Sequence, residues 1–168
     1  QNNATILSGD IGVEGDSSDN VYNVVFAVGD VGSAELNGVT ITKGVGNGFF
    51  EYDYTPYGGG TKTALQNNLG GGAFLYNTNA TFKNVNFIHN WAIGRNNIAV
   101  NGYGGGISVL DHSNISIVNS QISDNIALTR GGGIYIENSN VSLLNSLINN
   151  NTTLGYGGGI TMIYNSNL

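Results

Sequence analysis

"GGGIYIENSNVSLLNSLINNN", residues 131–151, is the stretch whose reading decides the fold. It carries one charge, no proline and no apolar stripe at helical spacing. Its apolar residues alternate, Ile134 with Ile136 and Val141 with Leu143, which is the period of a β-strand. The same pattern is written again on both sides. Glycine triplets stand at 70–72, 104–106, 131–133 and 157–159, with starts 34, 27 and 26 residues apart.

Aligning the chain on those triplets brings other positions into register. Ala73, Ile107, Ile134 and Ile160 follow the glycines, and Leu75, Val109, Ile136 and Met162 come two residues later. Asn79, Asn114, Asn140 and Asn167 precede a second alternating run containing Phe82, Ile117 and Leu143. Asn84, Asn119 and Asn145 come next, then Phe87, Ile122 and Ile148, and finally Asn90, Asn125 and Asn151. Each unit offers about three short strands between Gly or Asn turns. Such a unit cannot bury its apolar face alone, whereas stacked units place equivalent side chains one above another at roughly 4.8 Å. The apolar columns become core, and the glycines allow sharp corners. The columns Asn84, Asn119, Asn145 and Asn90, Asn125, Asn151 are expected to form ladders, where asparagine also tolerates left-handed backbone.

The expected fold is therefore all-β, a right-handed parallel β-helix (β-solenoid) of about five coils in one domain, 1–168. Residues 1–44 read as irregular first coils, with Leu36 aligned on Phe82, Gly38 on Asn84 and Ile41 on Phe87. Residues 45–69 read as an aromatic, Gly-rich excursion, and 70–168 as the regular GGG-type coils with an incomplete last one. A second excursion, 93–103, accounts for the 34-residue spacing.

Composition excludes several function classes. Charged residues make up 10% of the chain against a usual ~25%, while glycines number 27. Asn and Ser supply the polarity, as suits side chains that bond in ordered rows. The net charge is -6 with only five Lys and Arg, so the phosphate-neutralising patch of a nucleic-acid binder is missing. There is no cysteine for disulfides or thiolate metal sites. No apolar run approaches the ~20 residues of a membrane span. In a secreted protein the signal would already be removed, with Gln1 as the mature start.

The triplet "GGGI" followed by "ISDN" or "FIHN" resembles the paired repeats of chlamydial polymorphic outer-membrane proteins. More broadly the chain is similar to parallel β-helix repeat surface proteins. Its opening, "TILSGDIGVEGDSSDNVYNVV", resembles the first coils of secreted Bacteroidetes-type β-helix proteins. The resemblance spans nearly the whole chain and implies an extracellular or cell-surface location. It does not single out an activity, because such proteins range from adhesins and autotransporter passengers to polysaccharide lyases.

Four groups of residues stand outside the columns or add chemistry to them. Asp10, Glu14, Asp16 and Asp19 lie in a glycine-rich loop and supply the hard oxygen ligands that Ca²⁺ takes, although their spacing is not that of an EF-hand. The alternative is a solvated loop with Asp and Ser capping its turns. No other cofactor is expected. Phe49, Phe50, Tyr52, Tyr54 and Tyr57 concentrate aromatic surface suited to a protein partner or a surface glycan, or to covering the side of the helix. Asn79, Asn114 and Asn140 share a column and open Asn-x-Ser/Thr sequons, which would carry glycans in an archaeal or eukaryotic source and be idle in a bacterial one. Catalysis would need carboxylates and a base on one groove. The candidates are Asp111 beside Glu137, with no base aligned next to them, and His89 beside Asp124, a one-coil neighbour pair of a kind more often found on a surface than in a dyad.

The last unit stops partway through a coil with no polar cap. That pattern is expected of a chain that pairs with further coils or stacks end to end on itself. The expected function is a non-enzymatic structural or adhesive rod, in a cell-surface adhesin or an extracellular filament. The alternative is part of a β-helix polysaccharide lyase or glycoside hydrolase. An ice-binding face is disfavoured by the lack of a regular Thr-x-Thr array.

Overall fold

The computed structural model describes residues 4–48, 51–55, 63–66, 68–94 and 102–168. Among these, eighteen strands form four parallel sheets of five, four, five and four strands, and one antiparallel hairpin stands apart. The fold is a parallel β-helix. Four strands make one coil, and the second coil shows the plan: β8 (Ala73–Tyr76), β9 (Asn79–Lys83), β10 (Asn86–Ile88) and β11 (Trp91–Ala92). The next two coils repeat it as β12 (Ile107–Leu110), β13 (Asn114–Val118), β14 (Gln121–Ser123), β15 (Ile126–Ala127) and β16 (Ile134–Glu137), β17 (Asn140–Leu144), β18 (Leu147–Asn149), β19 (Thr152–Thr153).

The irregular start obeys the same plan. β2 (Val25–Val28), β3 (Ala34–Asn37), β4 (Val39–Thr42) and β5 (Val45–Gly46) form the first complete coil, and β1 (Thr5–Ser8) lies beneath β4. β20 (Ile160–Ile163) and an Asn140–Asn167 bridge begin a further coil above. The described chain thus holds four complete coils with a partial one at each end.

The pairing matches the column alignment residue for residue. Ile107 pairs with Ala73 and Ile134, Ile117 with Phe82 and Leu143, and Phe87 with Ile41 and Ile122. Leu36 lies on Phe82 as the alignment requires. These side chains form one core in which Ile41, Leu75, Phe87, Ile107, Ile117, Ile122, Ile134 and Ile136 are fully buried. Where one coil uses Phe82 and Phe87, whose rings meet edge to face at 5.2 Å, the next uses Ile117 and Ile122.

The fourth strand differs from the expectation of about three strands per unit. It is two residues long, too short for alternation to register, and Val45 and Gly46 belong to it although they open the stretch read as an excursion. The rest of that stretch contains the hairpin β6 (Glu51–Tyr54) and β7 (Thr63–Gln66). Leu65 of the hairpin and Tyr103 at the end of the second excursion join Phe74, Leu110 and Tyr135 in a second, smaller apolar cluster on the outer side of the sheet that contains β8, β12 and β16.

Each corner has its own device. After the first strand, the Thr78 N–H donates to Ser113 Oγ (3.1 Å) and the Ser113 N–H to Ser139 Oγ (3.2 Å). After the second, the Val85 N–H donates to Ser120 Oγ (3.0 Å) and the Ser120 N–H to Ser146 Oγ (3.2 Å). The third corner holds the buried asparagines. The Asn90 N–H and side-chain amide both donate to Asn125 Oδ1 at 3.0 Å, and Asn125 donates to Asn151 Oδ1 in the same two ways. Each amide also reaches an interior carbonyl, Asn125 Nδ2 to Phe87 O at 2.9 Å and Asn151 Nδ2 to Ile122 O at 2.8 Å.

The glycine triplet closes the coil around that ladder. A Cβ on Gly106 would stand 3.1 Å from Asn125 Nδ2 and 2.7 Å from Gly133 O. A Cβ on Gly105 would stand 2.4 Å from Ile126 O, a backbone atom that cannot yield cheaply. The first glycine, Gly104, turns the chain at φ 65. Glycine and asparagine columns are therefore one arrangement: the missing side chain leaves the space that the buried amide fills.

Candidate functional site

The three asparagine columns do different work. Asn90 and Asn125 are fully buried and bond as described. Asn84, Asn119 and Asn145 hold left-handed backbone at φ 54, 50 and 51, and Gly38, which aligns with them, has φ 73. The side-chain amide of Asn84 donates to Asn37 Oδ1 at 2.9 Å, on the coil below. The third column, Asn79, Asn114, Asn140 and Asn167, is an exposed ladder with amide-to-amide distances of 3.1, 2.8 and 2.7 Å. In this column the nitrogen that would carry a glycan donates along the ladder at Asn114 and Asn140, and that of Asn114 also reaches the His112 carbonyl at 3.4 Å. Beside it run Thr81, Ser116 and Ser142, so on these three coils the Asn-x-Ser/Thr pattern displays an uncharged strip of amides and hydroxyls, with Glu35 in the same column on the coil below.

The acidic loop folds back on the first complete coil. Its feet are stitched down by Gly9 N–H to Thr42 O (2.8 Å), Val21 N–H to Gly9 O (2.9 Å) and Asn20 Nδ2 to Lys43 O (2.9 Å). The carboxylates are spread over separate tasks. Asp10 is ion-paired with Lys43 and accepts from the Gly15 N–H, Asp16 accepts from the Ser18 N–H at 2.9 Å, and Asp19 accepts from the Val13 N–H at 2.8 Å. Glu14 is exposed. Among the described residues no group of three or more His, Asp or Glu is placed to hold a metal ion. The bond from Lys43 holds the Asp10 carboxyl below the usual carboxylate range, and Asp10 in turn holds the Lys43 ammonium above its ordinary value.

Between this loop and the third corner lies a cleft of about 230 Å³, lined among others by Asp10, Ser17, Asn20, Lys43, His89 and Trp91. The Asp10 side chain is only 7% exposed there, whereas Trp91, the single tryptophan of the chain, is 37% exposed. Lys43, His89, Asp124 and Asn150 occupy one column at this corner, all left-handed at φ 61, 54, 57 and 54. Sequence reasoning aligned His89 with Asp124 but missed the cleft, since no local pattern says that residues 9–24 cover this corner.

Of the aromatic group, Tyr54 packs edge to face on Tyr76 at 5.8 Å with its hydroxyl close to Gly29, against the side of the helix. Tyr52 lies in β6, and Phe49, Phe50 and Tyr57 fall outside the described residues. Asp111 accepts from its neighbour His112 Nδ1 at 3.0 Å, while Glu137 accepts from the Tyr135 hydroxyl at 2.8 Å. Burial, and then that bond, push the Tyr135 hydroxyl pKa upward. Asp111 is offset by one position from Glu137, which pairs with Leu110. No described helix is long and apolar enough to cross a membrane. Comparison of the chain with protein-family models, with curated proteins and with solved structures found no match.

Proposed function

We propose that this chain is a non-enzymatic rod of an extracellular protein, part of a cell-surface adhesin or of a filament, with loops that provide its contacts. One observation carries the reading: the repeated residues are absorbed by the rod itself. The Ile, Phe and Val columns fill the core, the Ser and buried Asn columns bond coil to coil, and the glycines make room for them. A parallel stack in which every coil bonds the next resists bending and leaves few interior backbone groups open to proteases. The low charge and the neutral amide and hydroxyl strip suit a surface that meets glycans or other neutral polymers.

The stacking rule has no built-in length. Any coil presenting the same columns would extend the four sheets, whether it belonged to the same chain or to a second copy. The test is the location and shape of the native protein. Surface digestion of intact cells should release its peptides, and electron microscopy of the purified protein should show narrow rods. Retention inside the cell, or cleavage of a polysaccharide by the purified chain, would overturn this reading in favour of the carbohydrate-active alternative.

A further inference from the structure

We infer that the cleft between the acidic loop and the third corner binds one neutral pyranose ring, stacked on Trp91 and held through its hydroxyls by Lys43, Asp10, His89 and Ser17. This deepens the adhesive reading and rests on it, by naming what the rod would hold.

The cavity is the first reason. At about 230 Å³ it lies below the ~300–1,000 Å³ of pockets for drug-sized ligands and suits a single ring. The platform is the second. Trp91 occupies an outward position in a column with Val45 and Ile126, and it leaves more than a third of its surface open on the edge of the cleft. An aromatic face kept open beside polar groups is the arrangement that apolar C–H faces of sugars stack on. The third reason is the mixture of hydrogen-bonding groups. The Lys43 ammonium has three donors, one of them given to Asp10, and the Asp10 carboxylate can accept several bonds, so the pair offers both roles to neighbouring hydroxyls. His89 and Ser17 add groups that donate or accept.

Charge then selects the sugar. Among the described lining residues Asp10 is the one carboxylate and is paired with Lys43, Glu14 also acts on Lys43, and Asp16 and Asp19 add negative charge on the same loop. A uronate, sialate, sulfate or phosphate entering this field is repelled, whereas an uncharged polyol is not.

Because Trp91 is the single tryptophan, intrinsic fluorescence of the whole chain reads this cleft directly. The probes are methyl glucoside, methyl galactoside, methyl mannoside, methyl N-acetylglucosaminide and, as the charged control, methyl glucuronide. At least one neutral glycoside should shift the emission saturably, and the glucuronide should bind at least tenfold more weakly than that glycoside. Lys43→Gln should weaken the bound glycoside about tenfold. His89→Asn, which keeps a residue tolerant of left-handed backbone, should weaken it several-fold with an unchanged thermal midpoint. Trp91→Ala, followed by calorimetry, should abolish binding. Emission unmoved by every neutral glycoside, equal binding of the glucuronide, or the same shift from Ca²⁺ alone would overturn the proposal. A surface-exposed rod that binds no sugar would sink this inference and leave the rod reading intact, while an intracellular chain that binds sugar would do the reverse.

Discussion

Two neighbouring columns at the same corner differ in one respect. Asn90, Asn125 and Asn151 repeat one residue on successive coils, each bonded to the next. One position earlier stand Lys43, His89, Asp124 and Asn150, four chemistries on one backbone conformation. The inner column faces the coil interior, where an amide must satisfy the same neighbours on every turn. The outer column must only tolerate a left-handed φ, so its side chains are free to differ. Uniform columns build the rod, and variable columns are where recognition can be written.

Removing a member of the uniform column should have the largest effect. Asn125→Ala strands the buried Asn90 N–H and removes the side-chain bonds to the Phe87 carbonyl and to Asn151, at an expected cost of about 3–5 kcal/mol, read as a fall in the urea midpoint. Gly132→Ala should come next. Its Cβ would meet Gly158 O and Thr152 O at 2.5 Å, both backbone atoms, so the coils must shift at a cost of about 1–3 kcal/mol. Asn84→Ala should cost about 1–2 kcal/mol through left-handed strain, while Asn84→Gly should nearly spare stability. Asn114→Ala removes exposed ladder bonds only and should cost less than about 1 kcal/mol.

The pH dependence sharpens the same contrast at its small end. The folded Asp10 carboxyl lies below its ordinary 3.8, so the stabilisation from its Lys43 bond is in place above 3.8 and is lost as pH falls through the depressed folded value. Lys43 lies above its ordinary 10.5, so its share is present below 10.5 and is lost as pH rises through the elevated folded value. A thermal-midpoint gap between the native chain and Lys43→Gln should therefore be steady from about pH 5 to about pH 9 and close at both extremes.

How much of this was legible in the sequence follows from how local each feature is. Columns separated by a near-constant spacing announce themselves, which is why Leu36 could be placed on Phe82 across an irregular stretch. The fourth strand was hidden because Trp91 and Ala92 are too few to alternate. Two Asn columns read alike, each following an apolar residue closely, yet Asn119 serves a left-handed turn and Asn125 a buried amide ladder. Only the inward position beside the glycine triplet distinguishes them. The sequons concealed an exposed ladder for the same reason, since a side chain's partner lies 26 or 35 residues away. The cleft was the least legible feature. It depends on long-range bonds such as Asn20 to Lys43, whereas the acidic loop reads from sequence either as a cation site or as a turn-capping loop, and its carboxylates cap turns and pair with Lys43.

The exchange of adjacent residues Asp124 and Asn125 tests the division of labour most directly. Asp124→Asn keeps a residue that accepts left-handed backbone and should move the unfolding free energy by less than about 0.5 kcal/mol. Asn125→Asp has nearly the same shape but sets a buried carboxylate against Phe87 O and Asn151 Oδ1, and should cost at least about 3 kcal/mol at neutral pH. Urea unfolding of the two variants side by side gives the answer. A large loss confined to Asn125→Asp is the result this account predicts, and equal losses in both, or a tolerated Asn125→Asp, would contradict it.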